Sequence, residues 1–240
     1  MIRATFVTFF CLVYILVIGL PAVIFGWLTK NTDPIYNLGV KGAKLALWLS
    51  GVRLEVHGRE NLPRGRAALY MPNHQSNCDP PAVVTVIPPV LVLVKKEFFR
   101  VPIMGAAMRA RGFIPVDRQN RERAIAAVDR AVASMKAGNS FMAYPEGTRS
   151  PDGRLQRFKK GIFVMAIKAR ALVVPISLSG ASKIMPKGRF VIRPGTVRIT
   201  IHPPIPAENY TLAQRQELIE RTRQAIISGL EPQEWPADEI

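Results

Sequence analysis

Apolar residues make up almost all of the start of the chain and alternate with polar ones afterwards. From Ala4 to Thr29 no side chain is charged, and Arg3 and Lys30 bracket the run TFVTFFCLVYILVIGLPAVIFGWL. About 20 apolar residues suffice for a helix to cross a bilayer, so this run predicts a membrane-anchoring helix. Gly19 and Pro21 near its middle leave two topologies open, a span or a bent helix that re-enters one leaflet. Trp27 stands where an interfacial aromatic is expected, and no small-x-small cleavage site follows, which argues against a removable leader. A second helix is expected over residues 36–49, with Leu38, Leu45, Trp48 and Leu49 apolar and Lys41 and Lys44 basic. That mix suits a helix in the headgroup region or one packed on a domain. Gly51 would end it, so residues 1–50 form an N-terminal membrane-anchoring helical segment.

Beyond residue 51 the period changes. Short apolar runs predict strands at 53–57, 67–71, 90–94, 113–116, 141–144, 172–178 and 197–201. Between the fourth and fifth, Ile125, Val128, Val132 and Met135 recur at helical spacing, with Asn120 placed to cap the start and Gly138 the end. Further helices fit 162–169 and 212–230. Strands alternating with helices predict an α/β domain over residues 51–230: a mostly parallel sheet flanked by helices. Residues 231–240 carry Glu231, Glu234, Asp238 and Glu239 with no base, and read as a loose acidic tail.

Composition narrows the partners. The 240 residues are 48% hydrophobic, enough to fill a core, and 33 Lys+Arg against 17 Asp+Glu give a net charge of +16. Such a surface attracts an anionic bilayer, nucleic acid or phosphorylated metabolites. Charge alone would also fit a non-catalytic basic protein that binds membrane or nucleic acid. Against that reading, the charge is spread through an ordered domain beside a base and an acid. Cys11 and Cys78 suggest no disulfide framework, and a reducing compartment follows.

Three loops just past predicted strands hold the chemistry, where α/β sheets carry their sites. Asn73-His74-Gln75-Ser76-Asn77-Cys78-Asp79 follows the second strand. If His74 stays in the loop and Asp79 enters the next helix, the two can pair, fixing the tautomer and leaving the other nitrogen as a base. Cys78 is an alternative nucleophile, though a cysteine at a helix start is usually packing. Gly112-Phe113-Ile114-Pro115-Val116-Asp117-Arg118 ends a strand on an arginine before a capped helix, a good setting for a bidentate phosphate contact. Tyr144-Pro145-Glu146-Gly147-Thr148-Arg149-Ser150 makes a tight loop, followed by Arg154, Arg157, Lys159 and Lys160. Loop amides near 74–77 or 146–148 are candidates for an oxyanion hole. His57 and His202 read as surface or packing residues.

These segments resemble the ordered blocks of the glycerolipid acyltransferases with the H-x4-D motif. Asn73 to Asp79 resembles the first block, Gly112 to Arg118 the second, Pro145 to Ser150 the third and Val174-Pro175-Ile176 the fourth. Lys96-Glu97 with Pro102 and Gly105 echoes the segment between the first two, and Tyr144 stands where Phe is commoner. The resemblance implies that His74 is the general base and Asp79 orients it. It implies that Arg118, Glu146, Gly147, Thr148 and Arg149 bind or shape the acceptor phosphate site, and it leaves Lys96, Lys159 and Lys160 as donor or phosphate contacts. It implies acyl transfer from acyl-CoA or acyl-carrier protein to the sn-2 hydroxyl of 1-acyl-glycerol-3-phosphate, with another lysophospholipid or a lyso-aminolipid as the alternative acceptor. No cofactor, no metal and no nucleic acid are expected, and the expected location is the cytoplasmic face of a membrane.

Overall fold

The computed structural model describes residues 2–237. The apolar run is helical throughout, as α1 (Ile2–Tyr14), a π-helical turn (Ile15–Gly19) and α2 (Leu20–Thr29). Lys30, in the left-handed region at φ 62°, turns the chain back into α3 (Asp33–Leu49). The two arms form a hairpin whose close approach depends on small residues. The Tyr14 hydroxyl donates to the Leu38 carbonyl at 2.8 Å. A Cβ on Gly42 would lie 2.5 Å from the Tyr14 ring, and one on Gly26 would lie 2.9 Å from Ile35.

The domain that follows runs β1 (Val52–His57), β2 (Ala68–Pro72), α4 (Asp79–Val84), β3 (Leu91–Lys95), α5 (Met104–Ala110), β4 (Ile114–Val116) and α6 (Arg121–Lys136). It continues with β5 (Phe141–Met142), α7 (Lys160–Ala169), β6 (Leu172–Ser179), α8 (Ala181–Ile184), β7 (Gly195–Ile201), β8 (Ile205–Pro206) and α9 (Arg215–Ile227). The sheet order is β1-β7-β6-β2-β5-β3-β4, with β8 beside β6. Strands β6, β2, β5, β3 and β4 are mutually parallel; β7 and β8 run antiparallel to β6, and β1 follows β7. Alternate side chains of β2 feed two cores. Leu69 and Met71 meet α6, α7 and α9 on one face, while Ala68 and Tyr70 meet α3, α4 and α8 on the other.

The hairpin does not stand away from this domain. Ala4 and Val7 pack with Ile192, the Ile103 side chain lies 3.7 Å from where a Cβ of Gly19 would sit, and Leu47 enters the second core. At the turn, Arg111 pairs with Asp33 at 3.0 Å and lies over the Tyr36 ring. Contacts at both ends and the middle therefore lay the helix across the domain.

One expectation fails. The segment read as a loose tail is ordered at its start: Pro232–Glu234 form a capped turn, Glu234 is buried, and its carboxylate accepts the Gly180 N–H at 2.8 Å. Trp235 packs with Leu155, Ile226, Ile227 and Leu230. A buried acid that satisfies a backbone donor outweighs the polar composition that suggested disorder. Asp238 and Glu239 lie outside the described residues.

Candidate active site

The parallel strands β2, β5, β3 and β4 deliver their carboxyl ends to one edge of the sheet. His74 stays in the loop after β2, and Asp79 opens α4. The His74 Nδ1 to Asp79 Oδ2 distance is 2.8 Å, and the same carboxylate oxygen accepts the N–H groups of Gln75 and Ser76 at 2.7 Å each. Asp79 is fully buried, and burial pushes its carboxyl above the usual range against the pull of these donors. With Nδ1–H donated to Asp79, Nε2 is the nitrogen left to take a proton.

The loop after β5 holds His74 from the other side. Glu146 Oε1 accepts the His74 N–H at 2.5 Å, and its Oε2 accepts the Gln156 N–H at 3.0 Å. The Ser150 N–H donates to the His74 carbonyl at 2.8 Å. The Tyr144 ring stacks on the imidazole, with centroids 3.8 Å apart and planes 18° from parallel. Asn73 joins this loop pair to β6 through its side chain, exchanging hydrogen bonds with Leu178 at 2.6 and 2.9 Å.

Glu146 is held inside this loop. Both of its oxygens are committed inside the protein, and burial raises its pKa to about 7. Through these bonds it braces the loop that carries His74. Gly147 takes φ 73°, a conformation that suits glycine, and a Cβ there would press on the Lys159 stem at 3.2 Å. Thr148 and Lys159 are exposed at the mouth of this loop, Arg149 is half-buried, and Lys160 opens α7 toward solvent.

Arg118 lies in the turn after β4, exposed and without a carboxylate in ion-pair range among the described residues. Lys96, which follows β3, is bound to Asp117 at 2.7 Å, so its charge is partly committed. That contact, first among several, holds the Asp117 carboxyl below its usual range. Strand spacing of about 4.8 Å separates the ends of β2 and β4 by about 14 Å, and Lys96 and the 144–150 loop lie between.

Two further readings are narrowed. Cys78 is buried, and burial drives its thiol up to about 12, which argues against a nucleophilic role. The amides of His74, Gln75, Ser76 and Gly147 are already bonded within the chain. Asn77, Glu146 and Thr148 keep amides with no recorded partner among the described residues. Sequence reasoning did not find the Glu146–Gln156 clamp or the Tyr144 stack; the first arises where the loop between β5 and α7 folds back on itself and the second from the adjacency of β2 and β5, and neither leaves a spacing signal.

A family model described as Acyltransferase matches residues 53–179, more than half of the chain, which therefore belongs to the acyltransferase family. A chloroplastic 1-acyl-sn-glycerol-3-phosphate acyltransferase of Arabidopsis thaliana is 39% identical over 155 residues, covering 64% of this chain and 44% of that protein. The 1-acyl-sn-glycerol-3-phosphate acyltransferase of Borreliella burgdorferi is 31% identical over 189 residues, 78% of this chain and 76% of its own. The chain spans about half the length of its relatives in Arabidopsis thaliana, Brassica napus and Chlamydomonas reinhardtii. The crystal structure of the 1-acyl-sn-glycerophosphate (LPA) acyltransferase PlsC from Thermotoga maritima is similar with a TM-score of 0.85 at 27% identity, over 95% of this chain and 93% of that one.

Proposed function

We propose that the chain transfers a fatty acyl group from a thioester, acyl-CoA or acyl-carrier protein, to the sn-2 hydroxyl of 1-acyl-glycerol-3-phosphate, giving phosphatidic acid. The observation that carries this reading is the His74–Asp79 pair at 2.8 Å, with Nε2 left over at the strand-end edge. The names of the relatives supply the acceptor. Nε2 takes the hydroxyl proton as the oxygen attacks the thioester carbon. Collapse of the tetrahedral intermediate breaks the carbon–sulfur bond, and the imidazolium returns the proton to the thiolate, whose ordinary pKa is about 8.5. Arg118, exposed in its turn and without an ion-pair partner among the described residues, suits the acceptor phosphate, with Arg149 and Lys96 nearer the base. Lys159 and Lys160 suit the polyanionic donor. The amides of Asn77 and Thr148 are the candidates for stabilising the oxyanion.

The substrate and product are lipids, so the site works at a bilayer. The hairpin lies across the domain with Phe6, Phe9, Leu16, Phe25 and Trp27 outward, which favours a segment lying in one leaflet over a span. Both cysteines are free, in keeping with a reducing compartment and hence the cytoplasmic face. The test is thiol release by purified protein with a panel of lysolipids and both donor types. His74→Ala should abolish turnover while the thermal midpoint holds, and Asp79→Asn should cost roughly 10²–10⁴ in rate. Turnover above a few per cent in His74→Ala would remove His74 as the base.

A further inference from the structure

The loop between α8 and β7 takes no part in the chemistry above. Its sequence Pro186-Lys187-Gly188-Arg189-Phe190-Val191-Ile192-Arg193 sets an aromatic ring among three cations. Phe190 is 59% exposed, and Lys187, Arg189 and Arg193 are exposed around it. No acidic residue occurs between Asp152 and Glu208 in the sequence. Among the described residues, none of these three cations has a carboxylate within ion-pair distance; the nearby acids Glu55 and Glu231 pair instead with Lys183 and Arg198.

The loop is held at its base. The Arg193 N–H donates to the Ile184 carbonyl at 3.0 Å, and Ser76 Oγ donates to the Met185 carbonyl at 2.9 Å. Lys187 Nζ donates to the Arg149 carbonyl at 2.7 Å, which ties the loop to the third block. Ile192 is buried against Ala4 and Val7 of α1. Two residues of extended chain reach about 7 Å at most, so Phe190 stands beside the end of the apolar hairpin. An exposed ring flanked by unopposed cations, continuous with an apolar helix, matches the aromatic-plus-basic composition of a headgroup interface.

We propose that residues 186–193 form a second lipid contact, in which Phe190 enters the interface of an anionic bilayer while Arg189 and Arg193 engage lipid phosphates. Lys187 keeps its bond to Arg149, so this contact holds the 145–150 loop at the bilayer surface, where the acceptor arrives. The inference rests on the membrane-surface reading above. The test uses the full-length chain carrying Cys11→Ser and Phe190→Cys, labelled at position 190 with the environment-sensitive dye NBD, with phosphatidylglycerol vesicles. The label should shift to the blue and be quenched by doxyl-labelled lipid. Arg189→Ala with Arg193→Ala should weaken vesicle binding at low salt by about fivefold for each arginine, with turnover of a monomeric short-chain acceptor unchanged. A label that stays in water while tryptophan emission reports insertion of the hairpin overturns the proposal and leaves the membrane reading intact. If neither probe responds, both fall. A label that responds to acyl-carrier protein without vesicles makes the loop a donor dock and overturns the proposal as well.

Discussion

A single oxygen of Asp79 gathers the His74 ring and two backbone amides, so this carboxylate positions the loop as well as the tautomer. Tyr144 controls the remaining freedom of the ring. Its hydroxyl is buried without a hydrogen-bond partner among the described residues, and burial keeps the phenol far above its usual pKa. An unpartnered buried hydroxyl costs about 1–3 kcal/mol, so the ring face is the useful part. Tyr144→Phe should keep turnover within about threefold and leave stability unchanged or higher. Tyr144→Leu, which uncovers the imidazole, should lower kcat tenfold or more with little change in KM. Steady-state kinetics on the pair decide it, and equal losses in both would assign the role to the hydroxyl. Glu146→Gln is the companion case. Its carboxylate faces donors on both oxygens, so an amide there sets N–H against N–H on one side. We expect kcat to fall about tenfold, with a stability loss of about 1–3 kcal/mol; unchanged kcat at lowered stability would make Glu146 a scaffold residue only.

Among the elements, α9 is fastened to the sheet by a polar contact rather than by packing alone. Ser177 Oγ on β6 donates to the Ile226 carbonyl at 2.6 Å and accepts from His202 Nε2 at 2.7 Å. Burial lowers the His202 pKa to about 4 from an ordinary 6.5. The unfolded chain therefore binds this proton first, and stability contributed by neutral His202 is present above pH 6.5 and lost as pH falls through 4. The loss amounts to about 3 kcal/mol. Glu146, raised to about 7, slopes the other way between 4.5 and 7, so the clean measurement is a difference. Urea midpoints of His202→Gln against the parent chain should converge or cross as pH drops from 7.5 to 4.5, and parallel curves would rule the linkage out. The sequence placed His202 only as a surface or packing residue, because its partner lies 25 positions away. It marked the other elements unevenly for similar reasons. Buried strands such as β2 and β6 are long apolar runs and stand out. β8 has two residues, one of them proline, and α5 has seven, so neither shows a period. His74, Asp79 and Arg118 were legible because motif spacing marks them. Gln156 and Lys187 were not, because only the fold brings them to Glu146 and Arg149.

At the scale of the whole molecule, the hairpin is packed onto the domain that carries the site. Its inner side is bound by Ile192, Ile103 and Arg111, and its own Leu47 enters the second core, while Phe9 is 66% exposed, Leu16 58% and Phe25 47%. Deleting residues 1–50 would therefore uncover Ile192 and part of the second core, and would confuse loss of membrane binding with loss of folding. Charges on the outer face avoid that difficulty. Each of these side chains is worth about 1.5–3 kcal/mol when buried in an apolar phase, and apolar attachment resists salt while basic attachment weakens with it. The parent chain should stay with membranes in high salt and need detergent for release. A Phe9→Glu, Leu16→Glu, Phe25→Glu chain should keep its thermal midpoint within a few degrees, since no inner contact is touched. Its salt-resistant fraction should vanish, leaving weak binding to anionic vesicles that fades as ionic strength rises. Turnover should drop steeply on acceptors embedded in vesicles and little on monomeric short-chain ones. Sedimentation with vesicles across a salt series, read beside the two turnover assays, is the deciding measurement. If salt alone strips the parent chain, the hairpin is not inserted and the outward apolar face needs another explanation.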